Sequence, residues 1–288
     1  MSLFKFKNRK LELGKRTLIM GVHNATPDSF SDGGNHESIS SAVEHCIQMI
    51  KNGADIIDIG GESTRPGDNS LITVGEELNR VIPIISKLKK EYPHSIISID
   101  TMKPEVAREA VLSGADIIND VSGLKFSMDI AKVAATTKAG LILMHMKESP
   151  KAKSSDFIYN NLLKEIKNFL VNTAETAQDL GVSKESIVLD PGLGGGCFGK
   201  NTEQNFKILA NIQYFRQSGY PILTAPSKKS FIGELLNEPL PQNREWGTAA
   251  VVAWLVGKKT DIVRVHDVKA IKQVVKTYEE IMRLEDLI

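Results

Sequence analysis

Short apolar runs alternate along this chain with longer stretches of helical spacing. The runs at 18–22, 56–59, 96–99, 117–118, 141–143, 187–189, 222–223 and 262–265 are apolar and rich in β-branched residues, the pattern of parallel strands covered on both faces. Between them, apolar residues recur every three or four positions. The stretch 38–51 aligns Ile39, Val43, Cys46, Ile47 and Ile50, and 76–91 aligns Leu78, Val81, Ile82, Ile85 and Leu88, which predicts helices with one buried face. Pro104 opens a third, where its missing N–H costs nothing. Further helices are predicted at 128–138, 156–180, 202–217, 244–257 and 268–283. Eight strands and eight helices with no break in composition predict one α/β domain over 1–288. Its fold is a (β/α)8 TIM barrel with its core over 17–284. An open doubly wound sheet is the rival, and it would have to absorb all these units without a second domain.

In such a barrel the reactive groups belong at the C-terminal ends of the strands, because only those loops converge on one mouth. Asn24 follows the first run, Glu62 and Arg65 the second, Asp100 the third, Asn119 and Asp120 the fourth. His145 follows the fifth, Asp190 the sixth, Lys229 and Ser230 the seventh, Arg264 and His266 the eighth. Polar or titratable residues recurring at the strand tips predict an enzyme. Asp100, Asn119 and Asp190 are expected to meet Lys229 and Arg264 across the mouth, where carboxylates would suit a flat ligand edge rich in N–H donors. Arg65, Arg264 and His266 form a candidate anion site. The glycines between 192 and 199 match neither a phosphate-loop nor a dinucleotide spacing and are expected to form a mobile lid.

The 288 residues carry 36 Lys and Arg against 35 Asp and Glu, a net charge of +1. Such balance gives no whole-molecule field for nucleic acid or an anionic membrane. Of the two cysteines, Cys46 reads as a small buried hydrophobe, and Cys197 has no evident base beside it. No stretch reaches the roughly 18 apolar residues of a membrane span, and residues 1–14 do not read as a secretory leader, so a cytoplasmic location is expected. The histidines His23, His36, His45 and His94 lack zinc-site spacing and are expected to be structural or superficial.

Several runs together resemble one family. Asn24-Ala25-Thr26-Pro27-Asp28-Ser29-Phe30-Ser31-Asp32-Gly33-Gly34 and Asp58-Ile59-Gly60-Gly61-Glu62-Ser63-Thr64-Arg65-Pro66-Gly67 resemble the first two loop signatures of dihydropteroate synthases. Ser98-Ile99-Asp100-Thr101, Ile118-Asn119-Asp120-Val121, Met144-His145-Met146, Asp190-Pro191-Gly192, Lys229-Ser230-Phe231 and Arg264-Val265-His266 follow in the family's order. The resemblance implies a transferase that joins 6-hydroxymethyl-7,8-dihydropterin diphosphate to 4-aminobenzoate, giving dihydropteroate and diphosphate in folate synthesis.

By the same resemblance, Asp100, Asn119, Met144, Asp190, Lys229 and Arg264 bind the pterin. Asn24, Arg65, Arg264 and His266 bind the diphosphate. Phe30, Thr64, Pro66, Phe198 and Ser230 form the aminobenzoate pocket, Asp32 steadies a cationic intermediate, and Asn24 ligates Mg²⁺. A homodimer through the later barrel helices is also implied. His23, Ala25, Glu148, Ala225-Pro226, Lys228 and the long loop 192–200 depart from the usual pattern. A pterin-dependent methyltransferase would share the carboxylate clamp but would not need the Lys229-Ser230 and Arg264-Val265-His266 elements. A non-catalytic pterin-binding paralogue predicts loss of Asn24, Arg65 or Lys229, all of which are present.

Overall fold

A computed structural model describes residues 2–25, 36–62, 72–147 and 158–285. Two strands precede the predicted pattern: β1 (Ser2–Phe6) and β2 (Arg9–Leu13) pair antiparallel, Phe4 opposite Leu11. The alternating units follow as β3 (Leu18–Asn24), α1 (His36–Lys51), β4 (Ile56–Gly60), α2 (Val74–Glu91), β5 (Ile97–Asp100), α3 (Pro104–Leu112), β6 (Ile117–Asp120) and α4 (Asp129–Thr137). The second half runs β7 (Gly140–Met144), α5 (Leu162–Asp179), β8 (Ile187–Asp190), α6 (Thr202–Ala210), α7 (Ile212–Arg216), β9 (Leu223–Thr224), α8 (Ser230–Leu236), α9 (Glu245–Gly257), β10 (Ile262–Val265) and α10 (Val268–Glu285).

Strands β3 to β10 pair parallel in the order β8-β7-β6-β5-β4-β3-β10-β9. One parallel bridge, Leu189 to Ile222, joins the two outer strands and closes the barrel. The predicted barrel is therefore formed, with three differences. The single helix expected at 202–217 is interrupted at Asn211, which ends α6 and begins α7. Helix α8 is additional, being only seven residues long and too short to show a periodicity. The hairpin β1–β2 is the third.

Helix starts follow local chemistry. Thr73 and Glu76 form a reciprocal capping box on α2, and Asn201 and Gln204 do so on α6. Pro104 is the first residue of α3, as predicted.

The period of two along each strand sorts the core. Ile19, Ile57, Ile99, Ile118, Leu141, Leu189 and Val263 face the helices in the larger apolar cluster. Leu18, Met20, Ile56, Ile117, Ile142, Val188, Leu223 and Ile262 face inward, and Phe4, Phe6 and Leu13 of the hairpin pack against them. The hairpin thus plugs the N-terminal end of the barrel. Gly140 permits the close approach, since a Cβ there would lie 2.6 Å from Phe4 Cζ. With that end sealed by apolar packing, the polar inward positions lie toward the opposite mouth. Phe4 is fully buried, so Phe4→Ala is expected to lower stability by about 3–5 kcal/mol, read as a shift in urea midpoint, with the mouth chemistry unaffected.

Candidate active site

Moving up the inward-facing positions, the side chains change from apolar to polar. Asp58 sits one inward step above Ile56, Asn119 above Ile117, Asp190 above Val188 and Arg264 above Ile262, with Asp100 and Asn24 ending β5 and β3. Arg264 binds two of these acids at once. Its Nε donates to Asp58 Oδ2 at 2.6 Å and its Nη2 to Asp100 Oδ2 at 2.7 Å. Asn119 Nδ2 donates to the same Asp58 oxygen at 3.1 Å. Asp58 is fully buried, and among the described residues nothing donates to its Oδ1. A buried acceptor without a donor is costly and suits a ligand that brings one.

Burial pushes the Asp100 carboxyl up to about 7, Arg264 pulls it down, and the neighbouring Asp58 pushes it further up. Burial likewise raises Asp190 to about 6, opposed by the Gly192 amide and then by Lys229, Lys200 and Arg264. Gly192 N–H donates to Asp190 Oδ1 at 2.7 Å. The turn requires glycine: φ is +70°, and a Cβ would lie 2.1 Å from the His145 carbonyl oxygen.

Lys229 is aimed by a constrained turn. Lys228 before it has φ +59°, a conformation that non-glycine residues rarely adopt. The Lys228 N–H donates to Thr248 Oγ1 and its carbonyl accepts from Arg244 Nη1. Lys229 Nζ lies 4.5 Å from the centre of the Phe198 ring. Phe198 packs with Met102, Val121, Met144 and Met146 as an apolar wall. These contacts bring together Asp100, Asn119, Met144, Asp190, Lys229, Arg264 and Phe198 in one region.

At the rim, His266 Nδ1 lies 2.9 Å from Ser227 Oγ, and Ser227 also accepts from the His266 N–H. A cleft of about 780 Å³ is lined in part by Asn24, Lys228, His266 and Lys269. Ser230 is exposed at the start of α8, beside Gly195. Phe30, Asp32, Thr64, Arg65, Pro66 and Glu148 lie outside the described residues. Among the described residues no group of three or more His, Cys, Asp or Glu could hold a metal. Asn24 offers one amide oxygen at the mouth, which fits Mg²⁺, an ion that keeps waters and substrate phosphate oxygens as most of its ligands.

Three tip residues do other work. Asp120 faces away from the mouth and accepts from Ser122 N–H, Ser122 Oγ–H and Leu124 N–H, fixing its turn. His145 is buried with Nδ1 3.0 Å from Lys200 Nζ. Burial, reinforced by the Lys200 charge, pushes His145 down to about 2, so it is a neutral acceptor. Glu62 pairs with Lys103. The 192–200 loop is packed down, with Leu193, Phe198 and Lys200 buried, and forms a wall where a mobile lid was expected. His23 faces outward and is buried against His45, with Nδ1 atoms 3.1 Å apart, while nothing among the described residues bonds its Nε2.

Sequence reasoning missed Asp58 and Lys200 as participants. Inward parity marks Asp58, two residues above the apolar Ile56. Lys200 carried no comparable signal.

A carboxyl raised by folding contributes stability below its unfolded pKa of about 3.9, and this contribution is lost as pH rises through the folded value. For Asp190 that window ends near pH 6. The stability of Asp190→Asn relative to wild type is therefore expected to rise across pH 4 to 7, by up to about 3 kcal/mol. Denaturant titrations of the unliganded proteins measure it, and a pH-independent difference would contradict it.

Comparison with known proteins agrees with this fold. The family model described as pterin binding enzyme matches residues 20–266. The dihydropteroate synthase of Synechocystis sp. is 45% identical over 270 residues, covering 94% of this chain and 92% of that protein. The crystal structure of the Clostridium difficile dihydropteroate synthase with pteroic acid superposes with a TM-score of 0.86 at 43% identity, covering 94% and 98% of the two chains. That of the Xanthomonas albilineans enzyme with 4-aminobenzoic acid gives 0.88 at 37% identity, covering 97% and 98%. The chain therefore belongs to the dihydropteroate synthase family of pterin-binding enzymes.

Proposed function

We propose that this chain condenses 6-hydroxymethyl-7,8-dihydropterin diphosphate with 4-aminobenzoate, releasing diphosphate, and that the pterin sits among the inward-facing residues around Arg264. The observation carrying this is the set of buried Asp58, Asn119 and Asp190 and partly buried Asp100 about one guanidinium. A 2-amino-4-oxopyrimidine edge presents adjacent N–H donors, which a carboxylate such as Asp190 accepts in pairs. Asp100 and Asn119 take the remaining polar edge of the heterocycle, Met144 supports its face, and Lys229 balances the Asp190 charge while donating to the ring carbonyl. The relatives that bind pteroic acid and 4-aminobenzoic acid support this choice of ligands.

Arg65, Arg264, His266 and Asn24 receive the diphosphate in this reading. Asn24 would hold Mg²⁺ at this end of the site, and the ion would supply further neutralisation of the diphosphate charge. As the carbon–oxygen bond breaks, the electron pair leaves with diphosphate, and fixed cations stabilise that charge. The methylene cation is delocalised into the dihydropterin ring and steadied by Asp32. The aminobenzoate nitrogen, placed by Phe30, Thr64, Pro66, Phe198 and Ser230, then attacks it and loses a proton. Excluding water matters because hydrolysis would consume the cation.

In the same reading the enzyme is a cytoplasmic homodimer. No described helix is long and apolar enough to cross a membrane. Trp246 is 87% exposed on α9, and Leu235, Leu236 and Leu240 are exposed nearby, an apolar patch of the kind that marks a protein interface.

Two experiments follow. With both substrates and Mg²⁺ the protein is expected to release diphosphate in strict dependence on aminobenzoate; omitting Mg²⁺ or introducing Asp190→Asn should reduce the rate by about 10²-fold or more. Release that ignores aminobenzoate refutes the assignment. Sedimentation of Trp246→Glu should show monomer where the wild type is dimeric, and an unchanged sedimentation coefficient would remove this face from the interface.

A further inference from the structure

Between β4 and α2 lies the connection 63–71, which carries Thr64, Arg65 and Pro66. Its two described ends meet on one side chain. Glu62 Oε1 accepts from the backbone N–H of Ile72 at 3.1 Å, so a single carboxylate ties the residue entering the connection to the residue leaving it. The other oxygen, Glu62 Oε2, accepts from Lys103 Nζ at 2.8 Å, and the same ammonium donates to Glu77 Oε2 at 2.5 Å. All three groups are withdrawn from solvent, at 8% exposure or less.

Lys103 is in turn fixed to the strand tips that face the pterin pocket. Its N–H donates to Thr101 Oγ1, and the Thr101 N–H donates to the Asn119 carbonyl. Thr101 directly follows Asp100. Arg80 Nη1 donates to the Gly61 carbonyl, and a Cβ on Gly61 would lie 2.9 Å from Glu77 Cγ, so glycine there lets Glu77 pack closely against the end of β4. Burial pushes the Glu77 carboxyl up while Lys103 pulls it down.

Stability is a weak account of such a triad, because buried ions replaced by apolar groups often leave stability unchanged or improved. Geometry is the stronger account. Without the Lys103 ammonium, Glu62 and Glu77 would face each other as buried like charges, and Glu62 would turn away from Ile72. We infer that Lys103 is a positioning residue: it holds the Glu62 carboxylate that ties Ile72 to the end of β4, and so sets where the 63–71 connection leaves and rejoins the barrel. This rests on the functional reading above, in which that connection contributes to the aminobenzoate and diphosphate sites.

The test uses Lys103→Met, which keeps the aliphatic stem, and Lys103→Arg, which restores a cation. In hydrogen exchange on the unliganded protein, the Ile72 amide should exchange about tenfold or more faster in the Met variant and near the wild-type rate in the Arg variant. Amides of β3 to β6 should keep their protection. In the diphosphate-release assay, Lys103→Met should raise the aminobenzoate KM about tenfold, by more than kcat falls, and Lys103→Arg should recover most of the loss. Binding of hydroxymethylpterin, which lacks the diphosphate, should stay within about twofold of wild type.

Unchanged Ile72 exchange, or an aminobenzoate KM within about twofold of wild type, overturns the positioning role. Should Lys103→Met fail to fold, Lys103→Gln, which keeps a polar side chain but removes the charge between Glu62 and Glu77, carries the same two readouts. A wild-type protein with no aminobenzoate-dependent release defeats the functional reading instead, and the Ile72 exchange then decides the clasp alone.

Discussion

One guanidinium makes the mouth of this barrel possible. Asp58, Asp100 and Asp190 are directed inward by the strand period, and without a buried cation their charges could not be held together out of water. Arg264 meets two of them with separate nitrogens of one planar fork, a geometry that lysine cannot reproduce. Because β10 pairs with β3 and β9, and Arg264 lies opposite Met20 in register, the cation is fixed by sheet hydrogen bonds before any ligand arrives. Burial holds Asp100 and Asp190 above the usual carboxylate range, and a ligand that brings N–H donors would supply the hydrogen bonds that burial denies them.

The fold was legible because each strand announced itself as a short apolar run and each long helix as a stripe. Legibility failed where an element was too short to express its period. Helix α8 spans seven residues, and α6 and α7 look continuous because the break falls on a single residue, Asn211. The hairpin did show alternation, with Phe4, Phe6, Leu11 and Leu13 set among Lys, Glu and Arg. Its turn holds Lys7 at φ +48° without a glycine, so the usual turn signal was missing.

At the site, placing residues at strand tips found Asp100, Asn119, Asp190, Lys229 and Arg264, but tip position alone does not say which way a side chain points. Parity along the strand supplies that. Met144 points in, so His145 points out, and it became a neutral anchor for Lys200. Asp120 stands in the same relation to Asn119. Asp58 was passed over because it lies inside its strand, although the same counting places it inward. The ion cluster of Glu62, Glu77 and Lys103 joins residues from three separate loops and helices, a proximity that no single stretch of sequence displays.

The seam of the barrel also has an energetic side. Strands β8 and β9 are joined by one bridge, with Leu189 N–H donating to the Pro221 carbonyl at 2.9 Å, whereas every other neighbouring pair shares a longer ladder. Asp190 stands on one lip of that seam, and Lys229 lies just beyond the other. A heterocycle held by both would act as a rivet across the thinnest join in the cylinder. Occupancy and closure of the barrel are then two expressions of the same equilibrium.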